Sequence, residues 1–187
     1  MAYGTGPQIA VVGAPGDIDT TQKNPVGAEA VFSDGNTYVY LPGVASTVAG
    51  SWVTVHGPTG VSSQVTALLT ATATGPVAIA TAATVASTWG WYLVKGYYSG
   101  AHAGSNGTIA SGGGALSAEV ASGGTGRVVL FVAASSTAAA TTELIHGAYS
   151  YSAQPDSDSA ASGTPGADQI VVYVNYPFIA AAQTSFA

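Results

Sequence analysis

The sequence predicts an all-β fold: an antiparallel β-sandwich or small barrel, jelly-roll-like, with extended N- and C-terminal arms. Three observations predict it. Leu, Glu, Lys and Arg are scarce, while Val, Thr, Tyr and Gly abound. Short apolar runs alternate with period two rather than 3.6. Gly, Pro and Asn punctuate the chain roughly every 8–12 residues, the spacing of strands in a sandwich or closed barrel.

The elements follow in order. Glu29–Phe32 and Thr37–Leu41 flank Asp34-Gly35-Asn36, a tight-turn sequence, and so form a hairpin. In the second strand Tyr38 and Tyr40 share one face, Val39 and Leu41 the other. Pro42-Gly43 ends it. Ser51–His56 places Trp52, Thr54 and His56 on one side and Val53 and Val55 on the other, and Gly57-Pro58 closes it. Val65–Thr70 and Val77–Ala83 are the next strands. Ser87–Tyr98 carries the strongest signal: Trp89, Trp91, Leu93 and Lys95 share one parity, Tyr92 and Val94 the other. Gly90 and Gly96 within it mark bulges or close backbone approach. After a turn at Ser105-Asn106-Gly107 come Thr108–Ile109, Leu116–Val120, Val128–Val132, Glu143–Tyr151 and Gln169–Tyr176. Ser135–Thr142 suits a short helical turn or a loop.

The chain divides into an N-terminal arm over 1–24, a β-sandwich or barrel core over 25–153, and a C-terminal part over 154–187. That last part opens with a polar loop, continues as a strand and ends in an arm. Such arms hang free or lie along a neighbouring subunit.

Of 187 residues, 47% are apolar and only 6% charged, with a net charge of −6. Globular domains average about 25% charged residues, and disorder requires low hydrophobicity with high charge. The cations are Lys23, Lys95 and Arg127. Three scattered cations form no basic stripe, so no nucleic-acid partner is expected. The negative charge also disfavours an anionic membrane surface. The longest weakly polar run, Pro76–Ala86, is too short for a membrane helix. The strand segments lack the ten-residue alternation of a membrane barrel. The start, MAYGTGPQIAVVG, has no cationic region and does not read as a secretory signal. Absence of cysteine removes disulfides, thiolate zinc sites and cysteine nucleophiles.

His56, His102 and His146 show no short metal-ligand spacing. Asp17 with Asp19 and Asp156 with Asp158 form two D-x-D pairs, which read as loop or turn acids and continue into no calcium loop. No G-x-S-x-G elbow occurs, and the glycine runs at Gly112–Gly114 and Gly123-Gly124 lack the lysine and helix of a phosphate loop. No catalytic, cofactor-binding or metal residue is therefore assigned, and the chain is read as no enzyme.

The aromatics carry the information. Tyr38, Tyr40, Trp52, Trp89, Trp91, Tyr92, Tyr97 and Tyr98 cluster in one stretch. They serve either as core with polar tips at its edge or as a contact surface. The candidate protein-contact residues are Trp52, Trp89, Trp91, Tyr97 and Tyr98, joined by Phe178 and Ile179 in the C-terminal arm.

Thr37–Val55 (TYVYLPGVASTVAGSWVTV), Gly75–Gly100 (GPVAIATAATVASTWGWYLVKGYYSG), Gly107–Val120 (GTIASGGGALSAEV) and Gly126–Val132 (GRVVLFV) form an ordered series. The series resembles the capsid decoration, or cement, proteins of tailed bacteriophages. The resemblance covers roughly residues 29–150 and rests on small and aromatic residues rather than on a catalytic signature. It implies a virion protein made in the host cytoplasm that binds the capsid exterior and bridges capsomers. Its implied partners are itself, as a homo-oligomer with a trimer favoured, and a major capsid protein. The alternatives are a carbohydrate- or receptor-binding β-module of a virion and a hydrolase on a β-scaffold.

Overall fold

A computed structural model describes residues 11–56, 65–70, 72–104, 113–118, 126–130, 144–151 and 169–180. The described residues form eleven strands and no helix: β1 (Ile18–Asp19), β2 (Glu29–Val31), β3 (Thr37–Pro42), β4 (Trp52–His56), β5 (Val65–Leu68), β6 (Gly75–Ala80), β7 (Trp89–His102), β8 (Ala115–Ala118), β9 (Val128–Leu130), β10 (Leu144–Ser150) and β11 (Gln169–Ile179). All named strand pairs are antiparallel and join one large sheet in the order β2-β3-β7-β6-β11-β10-β8-β9. It is sandwich-like and does not close into a barrel.

The predicted hairpin forms as read. The Phe32 N–H donates to the Asn36 carbonyl at 3.1 Å across a turn in which Gly35 takes φ +79°. The predicted strands at Thr108–Ile109, the helical turn at Ser135–Thr142 and the Asp156/Asp158 pair lie outside the described residues.

Strand β7 is the hub. Its first half pairs with β3, from Pro42 opposite Trp89 to Thr37 opposite Lys95, and with β6 at Tyr92 and Leu93. Its second half pairs with β11, from Asn175 opposite Lys95 to Gln169 opposite His102. The far end of β11 then pairs with β6, Phe178 opposite Pro76 and Ile179 opposite Gly75.

Alternation along these strands builds two apolar clusters on opposite faces. The larger holds Tyr38, Tyr40, Trp52, Ile79, Trp91 and Leu93, and extends to Leu116, Ile145, Ile170, Val172 and Val174. The second holds Val39, Leu41, Val53, Val55, Ala78, Ala80, Tyr92 and Val94. The predicted parities of β3, β4 and β7 are those of the two clusters. Both faces of these strands are thus covered, each large side chain contributing about 1.5–3 kcal/mol of burial. Inside the second cluster, burial pushes the Tyr92 phenol up to about 12.

The described part of each predicted arm is tied to the sheet. Within residues 11–24 the attachment runs through β1. Ile18 and Asp19 pair with Gly90 and Trp89, and Asp19 and Asn24 are buried. The Asn24 side chain closes this loop by a double hydrogen bond to the Val12 backbone, 2.8 Å each way. At the other end, Pro177–Ile179 are no arm but the continuation of β11. That strand sits inside the sheet between β7 and β10 because Ile170, Val172 and Val174 bury into the main cluster.

Candidate docking face

The second apolar cluster covers only part of the outer sheet face. Beyond it, β7, β11 and β10 present side chains to solvent. Their register aligns three tyrosines in a row: Tyr149 opposite Tyr173, and Tyr173 opposite Tyr97. Cross-strand partners share a face, so the three side chains project from the same side of the sheet. The alternate residues Val172, Val174 and Ala148 point inward to the core.

Tyr97 is 53% exposed and Tyr151, at the end of β10, 65% exposed. Tyr149 is exposed and Tyr173 half-buried. Tyr97 meets Tyr151 edge-on with ring centroids 5.4 Å apart, and leans on Tyr173 at 4.9 Å with the rings tilted by 52°. Further along the same strands His146 stacks on Phe178 at 4.9 Å and 19°. Aromatic pairs at such distances contribute roughly 0.5–1.5 kcal/mol beyond burial, so the face is ordered by its own rings.

A bulge separates the two groups. His146 faces Phe178 and Ala148 faces Val174, so residues 175–177 of β11 stand opposite Gly147 alone. Gly147 takes φ +75°, and a Cβ there would sit 2.6 Å from the Asn175 carbonyl oxygen. Tyr176 takes φ +46°, a region unfavourable to side chains of its size. Its hydroxyl donates to Glu29 Oε2 on β2 at 3.2 Å.

The β2–β3 turn reaches the face as well. The β3 ladder on β7 begins at Thr37 opposite Lys95. Where it stops, the Asn36 side chain takes over: Oδ1 accepts the Tyr97 N–H at 3.1 Å, and Nδ2 donates to the Tyr97 carbonyl at 3.1 Å. Asp34 orients that amide. Its Oδ1 accepts the Asn36 N–H and its Oδ2 accepts Asn36 Nδ2, both at 3.0 Å, and the Tyr38 hydroxyl also donates to Oδ2. Burial would raise the Asp34 carboxyl, but the Tyr38 hydroxyl and the Asn36 N–H groups outweigh it and hold it below its ordinary value. Burial and the Asp34 carboxylate push the Tyr38 phenol up to about 12.

The sequence-predicted contact residues separate sharply. Tyr97 lies in the tyrosine row and Phe178, 48% exposed, lies beside it. Tyr98 is half-buried against the main cluster, because it points to the opposite side of β7 from Tyr97. Trp89 is half-buried opposite Asp19 of β1. Trp52 (0% exposed), Trp91 (1%) and Ile179 are core residues and offer no surface. Sequence reasoning missed Tyr149, Tyr151, Tyr173 and Tyr176. The signal was present in Tyr149-Ser150-Tyr151 and in Val171–Tyr176, where tyrosines alternate with residues bound for the core.

The D-x-D pair at Asp17 and Asp19 is occupied structurally. Asp17 Oδ2 accepts the Ala14 N–H at 2.8 Å. Asp19, buried, pairs with Lys23 Nζ at 2.6 Å and accepts the Tyr40 hydroxyl at 2.7 Å. Burial works to raise the Asp19 carboxyl, but Lys23 and Tyr40 prevail and hold it below its ordinary value. Among the described residues no three His, Asp or Glu side chains converge as metal ligands.

No family model matches the chain, and neither a curated protein nor a solved structure matches it significantly.

Proposed function

We propose that this chain is a non-catalytic structural protein that docks onto the outside of a bacteriophage capsid and stabilises it by bridging capsomers, assembling as a homo-oligomer to do so. The observation that carries the docking half is the tyrosine row on β7, β11 and β10 with its neighbours Tyr151, Phe178 and His146. Tyrosine supplies rigid, amphipathic contact area at low entropic cost and recurs at binding hot spots. The face is built mainly of hydroxyls and rings, with the exposed Lys95 two residues from Tyr97 on the same side of β7, which suits a partner recognised chiefly by shape and hydrogen bonds. Repetition on a symmetric lattice would multiply a modest single contact into avidity. The resemblance of residues 29–150 to decoration proteins supplies the identity of the partner.

Electron microscopy of shells assembled from the major capsid protein of the same virus, with and without added chain, tests this. Regular extra density and greater shell stability on addition are expected. Replacing Tyr97 and Tyr173 by Thr, which keeps strand propensity, should weaken binding at least about tenfold per residue if these are hot spots. Undecorated shells at saturating protein would overturn the proposal. Trp52 and Trp91, the usual kind of sugar platform, are buried, which weighs against the carbohydrate-binding alternative; reproducible glycan-array binding would restore it.

A further inference from the structure

We infer that Asn36 is a positioning residue for the docking face, acting through the backbone of Tyr97; this rests on the face being the docking surface. Tyr97 stands at the centre of the ring contacts, touching both Tyr173 and Tyr151. Its strand is irregular at that point. Gly96 takes φ +123°, and residues beyond it no longer have β3 beside them. The register on β3 also shifts just before it, with Leu93 opposite Tyr38 but Lys95 opposite Thr37, and such a bulge re-aims the side chains beside it. With β3 ending there, the Tyr97 N–H and carbonyl would be left without a ladder partner on that side.

The Asn36 amide supplies both missing partners with one rigid group. It mimics a single step of β-ladder, with donor and acceptor each at 3.1 Å. The fit is close on both sides: a Cβ on Gly96 would fall 1.8 Å from Asn36 Oδ1, so glycine there makes room for the amide. Asp34 fixes which way the amide faces, because its carboxylate accepts from Nδ2 and leaves Oδ1 for the Tyr97 N–H. The same hairpin holds the other displaced aromatic, since Glu29 on β2 receives the Tyr176 hydroxyl. The β2–β3 hairpin thus braces the face at two points while adding no ring to it.

A merely structural clamp would lower stability and leave binding per folded molecule unchanged. A positioning clamp couples to Tyr97. The test measures affinity for the major-capsid-protein shells in four proteins: wild type, Asn36→Ala, Tyr97→Thr and the double variant. Melting temperature and amide exchange at Tyr97 are followed in each. Asn36→Ala is expected to speed Tyr97 amide exchange and to weaken shell binding about tenfold, the scale of coupling between contacting residues. It should add nothing once Tyr97 is Thr. Asn36→Ser keeps a short polar group in place of the amide and places no carboxylate against Asp34, so it should fall between wild type and alanine; it serves as the readout if the alanine variant fails to fold. Weakened binding by Tyr97→Thr with none by Asn36→Ala or Asn36→Ser would overturn the brace and leave the docking face standing. No effect of Tyr97→Thr would overturn the docking face and the brace together.

Discussion

Gly96 and Asn36 are fitted to each other, and the fit makes a sharp prediction. An alanine at 96 meets two separate penalties. Its φ of +123° is a conformation that side chains rarely adopt, and its methyl would overlap the Asn36 amide. Left-handed backbone costs roughly 1–2 kcal/mol and overpacking about 1–3 kcal/mol. Gly96→Ala should therefore lose about 3 kcal/mol in urea unfolding, with the slope unchanged. The acids make a second prediction. Asp19 and Asp34 are both held below 3.8 in the folded chain. A depressed carboxylate contributes stability that is present above its unfolded value and lost as pH falls through the folded one. The melting temperature should thus fall as pH drops below about 4. Asp19→Asn should lower it at neutral pH, because Lys23 and Tyr40 lose their carboxylate, and should flatten the acid limb. An equally steep acid limb in Asp19→Asn would show that Asp19 contributes nothing to it.

At the scale of elements, β7 and β11 organise everything else. Most of β7 was legible, because its alternation of Trp91 and Leu93 against Tyr92 and Val94 is clean. Period two says which side chains share a face but not whether that face is covered. That is why Trp52 and Trp91 passed for contact residues and proved to be core. β11 was legible as a strand but not as a central one. A polar segment precedes it in sequence, which suggests a separate appendage, and nothing local records that Val172 and Val174 complete a core built by residues far upstream. The two-residue strand β1 is too short for any periodicity to reveal, and only the tertiary pairing of Asp19 makes it an element. A consequence follows for truncation. A chain ending at 168 loses the strand that links β7, β6 and β10. It should show no cooperative unfolding and no near-ultraviolet circular dichroism, whereas a dispensable arm would leave both intact.

The whole molecule is held by apolar burial on two faces of one sheet, with 6% charged residues in the chain. Charge therefore has little leverage on its stability or its contacts. Raising salt from about 0.1 M to about 1 M shortens the Debye length from roughly 10 Å to roughly 3 Å. The ion pair between Lys23 and Asp19 is shielded from that change on one side, since the carboxylate is buried. Apolar burial responds instead to solutes excluded from the surface, which strengthen it. Sodium chloride over this range should move the melting temperature by no more than about 2 °C, the change expected from well under 1 kcal/mol, while sulfate at equal ionic strength should raise it. Shell binding through the tyrosine face should follow the same rule. Rings and hydroxyls release no condensed counterions, so the affinity should be nearly flat against the logarithm of salt concentration. A steep loss of binding with sodium chloride would mean that charge, and not the row of Tyr97, Tyr173 and Tyr149, carries the attachment.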